Sequence, residues 1–122
     1  MTDTITVQGI YAGAIVADFT AGLAWYTRFM GRPADDQPFP GMAQWRRMGA
    51  AGLQLWQDDA RAGKAILTIV VPDLAREQAR LAAAGLPIGE IVTGGFGGIA
   101  QLTDPEGNRI HLAEPPRDFV NE

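Results

Sequence analysis

The chain has 122 residues, 47% hydrophobic and 20% charged, with a net charge of −4; this suits one soluble globular domain and leaves no basic field to attract nucleic acid. It contains no cysteine, which excludes disulfides, thiolate nucleophiles and thiolate metal sites. Residues 1–4 lack the start of a secretory leader, and no apolar run nears the ~20 residues of a membrane span, so a cytoplasmic protein with no membrane partner is expected.

Residues 6–16 are rich in Ile, Val and small side chains and read as a buried strand. Asp18 or Thr20 can cap the following helix by accepting from its free N–H groups. Phe19, Leu23, Tyr26 or Thr27, and Met30 give an apolar stripe at spacings of three and four. Gly31, with Pro33 beyond it, ends the helix. Short strands are predicted over 34–36, 43–48 and 52–57, the last two joined by a turn at 49–52. A polar connector, 58–63, leads to a strand over 64–71. Asp73 caps a second helix, running through Leu74, Gln78 and Leu81 to Ala84, and Gly85 stops it. Strands over 87–92, 98–103 and 108–114 complete the pattern. Gly94-Gly95-Phe96-Gly97-Gly98 lacks the lysine and the following helix of a phosphate loop. It reads as a flexible connection with Phe96 at its tip, at the mouth of a cavity.

The junction Ile15-Val16-Ala17-Asp18-Phe19 recurs in changed letters as Val70-Val71-Pro72-Asp73-Leu74, 55 positions further on. Each copy therefore reads β-α-β-β-β, and the order of elements implies an α+β domain. One domain over 1–122 is expected, with module 1 at about 5–57, module 2 at about 64–115 and a tail at 116–122. A unit repeated in this way tends to form its site between the copies.

Strand faces follow from the period of two. Ile10, Ala12, Ala14 and Val16 oppose Tyr11, Gly13 and Ile15. Leu53 and Leu55 oppose Gln54 and Trp56, and Ala65, Leu67, Ile69 and Val71 oppose Ile66, Thr68 and Val70. Ile110 and Leu112 oppose Arg109, His111 and Ala113. The uniformly apolar sets belong under the helices, and the mixed sets suit a cavity lining. The pair Arg46-Arg47 reads as a solvated strand face.

With these elements in place, the chain resembles the vicinal oxygen chelate superfamily, which includes glyoxalase I, extradiol dioxygenases and bleomycin-resistance proteins. The carriers are Val16-Ala17-Asp18-Phe19 leading into Leu23-Ala24-Trp25-Tyr26, and Val71-Pro72-Asp73-Leu74 leading into Leu81-Ala82-Ala83-Ala84-Gly85. The third and most specific is Asp104-Pro105-Glu106-Gly107-Asn108 before the strand Arg109-Ile110-His111-Leu112. The resemblance implies two tandem βαβββ modules forming a partly closed, cavity-bearing barrel, and a homodimer. Metal-dependent members place ligands in the first and last strand of each module, which correspond here to Tyr11, Gln54, Ile66 and His111. Ile66 has no donor atom, Tyr11 is a weak ligand unless ionised, and Gln54 is neutral. Three or four good N or O donors are needed to offset the dehydration of a divalent ion, so neither a metal nor another cofactor is expected.

The candidate ligand-binding residues are Tyr11, Trp45, Gln54, Trp56, Thr68 and His111. His111, the only histidine, is a general base or a ring satisfied by a neighbouring hydrogen bond. Tyr11 donates to a ligand carbonyl or packs as an amphipathic wall. Trp56 and Trp45 stack on a flat guest or belong to the core. The resulting expectation is a metal-free binder of small, aromatic organic molecules. The alternative is a lyase, isomerase or dioxygenase-like enzyme, using a degenerate metal site or His111 and Tyr11 as acid–base groups.

Overall fold

A computed structural model describes residues 4–116. The elements run β1 (Ile10–Val16), α1 (Phe19–Met30), β2 (Asp36–Phe39), β3 (Met42–Met48), β4 (Ala51–Gln57), β5 (Ile66–Val70), α2 (Leu74–Ala83), β6 (Val92–Gly94), β7 (Gly97–Thr103) and β8 (Arg109–Glu114). Each half is thus a βαβββ module. Sheet 1 has the order β1-β4-β3-β2 and sheet 2 the order β5-β8-β7-β6. In both, the first strand lies parallel to the last, while the remaining pairs are antiparallel. Among the described residues no helix is long and apolar enough to cross a membrane.

The partly closed barrel is not formed, and this corrects the expectation from the resemblance. Each sheet is open and four-stranded, and no ladder joins β1 to β5. The outer edges explain why closure fails. β2 has four residues including Pro38, and β6 has three, too little backbone to carry a continuous ladder around a barrel.

Asp18, rather than Thr20, caps α1, its carboxylate accepting from Ala21 N at 3.0 Å; Asp73 caps α2 in the same way from Arg76 N at 3.1 Å. The repeated aspartate is therefore a repeated N-cap. Gly31 takes φ 78° at the end of α1, where a side chain would be strained. The strand expected over 87–92 forms instead at Val92–Gly94. Pro87 has no N–H for a ladder, and Gly95-Phe96 makes a two-residue hairpin turn that sets Gly94 opposite Gly97. The first strand also starts later than expected, at Ile10.

The helices lie against the apolar faces, and both modules share one core. Tyr26, Phe29 and Trp45 from module 1 join Leu81, Ile110 and Leu112 from module 2. Ile10, assigned by alternation to the covered face, is 68% exposed because it lies at the uncovered start of β1.

The turn at 104–108 fastens the modules together. Asp104 Oδ2 accepts from Tyr26 Oη at 2.7 Å and Asn108 Nδ2 at 2.6 Å, while its Oδ1 takes the N–H groups of Glu106 and Asn108. Asn108 Nδ2 also donates to Ile15 O at 2.7 Å, and its Oδ1 accepts from Ala65 N. Glu106 accepts from the N–H groups of Ala17 and Asp18 at 2.8 and 3.0 Å. Asp104 and Asn108 are buried, and a buried carboxylate and amide persist only with partners such as these.

Candidate functional site

The mixed strand faces remain open in each sheet. On sheet 1 the parallel register sets Tyr11 beside Gly52, Gly13 beside Gln54 and Ile15 beside Trp56. The Tyr11 ring lies on Gly52: a Cβ there would collide with Tyr11 Cε2 and would stand 2.6 Å from Trp45 O. Trp56 Nε1 donates to Gln54 Oε1 at 3.0 Å, and Gln54 Nε2 donates to Gln44 Oε1 at 3.2 Å. Phe39 packs beside Trp56 with ring centroids 5.6 Å apart. The result is an aromatic surface threaded by two fixed amides, with Tyr11 40% and Trp56 37% exposed.

On sheet 2 the register aligns Thr68, His111 and Gln101 across β5, β8 and β7. Thr68 is exposed and His111 half-buried, with Ile66 64% exposed beside them. The six ligand-binding candidates therefore divide. Tyr11, Gln54 and Trp56 share sheet 1, and Thr68 and His111 share sheet 2. Trp45 lies in the core at 0% exposure, with Nε1 donating to Arg32 O at 2.9 Å, and has no ring face turned to a guest. β3 breaks strict alternation, and the pairing of Trp45 with Leu53 fixes the inward face.

Tyr11 and His111, the candidate acid–base pair, stand on different sheets. The donor set does not fit the divalent ion used by metal-dependent members of the resembled family. Ile66 contributes no donor atom, Gln54 offers only a neutral amide, and no three His, Asp or Glu side chains converge among the described residues.

Two adjoining cavities lie at the end of sheet 1 nearest β5. One, of about 450 Å³, is lined by Tyr11, Arg46 and Arg47 among others. The second, about 830 Å³ and mostly apolar, runs between β1, β4 and β5 and includes Ala12, Leu53 and Thr68. Composition and alternation gave no signal for the contribution of the two arginines, which depends on a fault in strand pairing.

Proteins of known structure share this architecture. A glyoxalase/bleomycin resistance protein from Catenulispora acidiphila DSM 44928 is 28% identical, with a TM-score of 0.82 over 90% of this chain and 100% of the other. TnmS3, an antibiotic-binding protein from Streptomyces sp. CB03234, is 24% identical with a TM-score of 0.76, covering 95% and 100% of the two chains. The bleomycin-binding protein of Streptomyces verticillus, complexed with copper(II)-bleomycin, is 18% identical with a TM-score of 0.75 over 93% and 100%. No curated protein matches. The family model described as Glyoxalase/Bleomycin resistance protein/Dioxygenase superfamily matches residues 10–112, so most of the sequence, its paired βαβββ modules and its capped strand–helix junctions identify the chain as a member of that superfamily.

Proposed function

We propose that the protein binds small aromatic organic molecules on its open sheet faces, without a resident metal, and acts in the cytoplasm. The observation that carries this reading is the surface of sheet 1, where Tyr11, Phe39 and Trp56 stand exposed around the Gln44–Gln54 amide pair. Aromatic faces stack on flat guests, while amides already held by hydrogen bonds offer orienting donors and acceptors. Of two proteins of the same fold, one is named for antibiotic binding and one for bleomycin binding, which supports an organic ligand here. On sheet 2, Thr68 and His111 supply polar contacts.

The protein acts as a homodimer in this reading. Each module leaves a sheet face with large apolar side chains uncovered, including Trp56, Ile66, Val70 and Ile99. Such faces favour burial against a second copy, which would also enclose the guest. Sizing by light scattering checks this, with a dimer expected at micromolar concentration and a monomer counting against it.

A thermal-shift and calorimetric screen against aromatic natural products tests the binding. At least one compound is expected to raise the melting temperature, with affinity falling about tenfold or more in Trp56→Ala, the loss of a stacking face. A hit unaffected by Trp56→Ala, or no hit at all, would sink the reading.

A further inference from the structure

The smaller cavity owes its charge to a break in strand pairing. β3 meets β4 as Trp45↔Leu53 and next as Met48↔Ala51, so three steps on β3 answer two on β4. Strict alternation from the buried Trp45 would send Arg47 into the core. The extra residue leaves Arg46 and Arg47 both outside, and Met48 takes the inward position against the core.

The bulge is strained and clamped. Arg47 has φ 61° and is the one non-glycine residue with positive φ among those described. Arg46 N donates to Asp35 Oδ2 at 2.5 Å, Arg46 O accepts from Arg32 Nη2 at 2.8 Å, and Arg32 Nη1 closes the loop onto Asp35 Oδ1 at 2.9 Å. Both backbone groups of Arg46 are thereby held away from the ladder. The Arg46 guanidinium lies 3.3 Å from Asp36. Arg47, exposed at the cavity, makes no ion pair among the described residues. In a chain of net charge −4, the bulge thus keeps an unbalanced arginine at a cavity that Tyr11 also lines.

The cavity adjoins the aromatic face of sheet 1 through Tyr11: the Tyr11 ring lies over Gly52, and Trp56 Cδ1 would stand 3.9 Å from a Cβ added at Gly13, two residues along the same face. A basic cavity that continues into an aromatic face suits one ligand with two ends. We propose that Arg47, with Arg46 and Tyr11, forms an anion subsite that takes the carboxylate of an organic acid whose aromatic body lies on the Tyr11–Trp56 face. The planar guanidinium presents paired donors that match a carboxylate, and the phenol adds another. This inference rests on the small-molecule reading above and adds the charge of the ligand.

Calorimetry with naphthylacetate and its uncharged isostere naphthylacetamide tests it, using wild type, Arg47→Gly and Trp56→Ala. Wild type is expected to bind the acid about tenfold more tightly than the amide, as for a charge-assisted contact. In Arg47→Gly this preference should vanish while the melting temperature holds or rises, because glycine accepts the positive φ without strain. Raising NaCl from ~50 to ~500 mM should weaken the acid and spare the amide. Equal affinity for acid and amide in wild type overturns the subsite, as does an acid preference that survives Arg47→Gly or no binding of either probe. If both probes bind equally and both are lost in Trp56→Ala, the aromatic-binding reading stands and the anion subsite falls.

Discussion

Arg28 and Arg80 cap each other's helices. Arg28 Nη2, from α1, donates to Ala84 O at the end of α2 at 2.7 Å, and Arg80 Nη2, from α2, donates to Phe29 O near the end of α1 at 2.6 Å. Each guanidinium meets the carbonyl-rich end of the other helix, where positive charge is favoured. Gly31 and Gly85, at φ 78° and 77°, leave room for the visitors: an added Cβ would stand 3.1 Å from Arg80 Nη1 and 3.0 Å from Arg28 Nη2. The two modules are thus joined by a reciprocal contact as well as by the shared core.

Arg80→Ala should therefore destabilise the protein by about 1–2 kcal/mol in urea unfolding, through loss of a charge-assisted bond at a helix end. Arg28→Ala should cost less, since Arg28 is exposed and Arg80 is half-buried and also pairs with Glu77 at 3.0 Å. Equal losses would show that the Glu77 pairing and the deeper setting of Arg80 add nothing.

The buried Tyr26–Asp104 bond yields a prediction at high pH. Burial, then the hydrogen bond to Asp104 and its charge, push the Tyr26 phenol well above its ordinary value. The folded state keeps this proton when the unfolded chain releases it. The stabilisation is full below the unfolded value of about 10 and declines as pH rises past it, by up to about 1.4 kcal/mol per pH unit. Tyr26→Phe should cost about 1–2 kcal/mol at neutral pH, and its gap to wild type should narrow above pH ~10. Asp104→Ala, which strands the Tyr26 hydroxyl and the backbone N–H groups of Glu106 and Asn108, should cost roughly 3 kcal/mol. Chemical denaturation across the pH range reads all three.

Gly52→Ala is expected to lower stability by about 1–3 kcal/mol, because the new methyl meets the Trp45 carbonyl at 2.6 Å and the Tyr11 ring. The ring can swing away, but the carbonyl belongs to a paired strand. Ligand affinity should fall as well, since Tyr11 would be displaced from both the aromatic face and the basic cavity. Melting curves and calorimetry on the one variant separate the two effects.

Acid should loosen the arginine bulge. The bond from Arg46 N, then that from Arg32, holds the Asp35 carboxyl below its usual range. A lowered folded value means that the contribution is present above the unfolded value of about 4 and lost as pH falls through the folded one. Wild type should therefore lose stability between pH ~5 and pH ~2 in excess of Asp35→Asn. Parallel thermal melts of the two proteins would reveal identical pH profiles if the clamp contributes nothing.

Much of the architecture is written locally. Asp18 and Asp73 announce two helix starts because an N-cap needs only a short acceptor beside free N–H groups, and Gly31 and Gly85 mark the ends because only glycine tolerates the reversal there. The hairpin at Gly95-Phe96 is not legible in the same way, since a glycine-rich run is compatible with several registers until a partner strand selects one.

Alternation along each strand separated Leu53 and Leu55 from Gln54 and Trp56 on sequence alone, and the repeat set two βαβββ modules in order. Tertiary structure alone decided that the sheets stay open, that Trp45 faces inward, and that a bulge sets Arg46 and Arg47 at one cavity. Those outcomes depend on strand registers, bulges and edge lengths. They are relations between segments distant in the chain, fixed by hydrogen-bond pairing and packing that a local pattern does not encode.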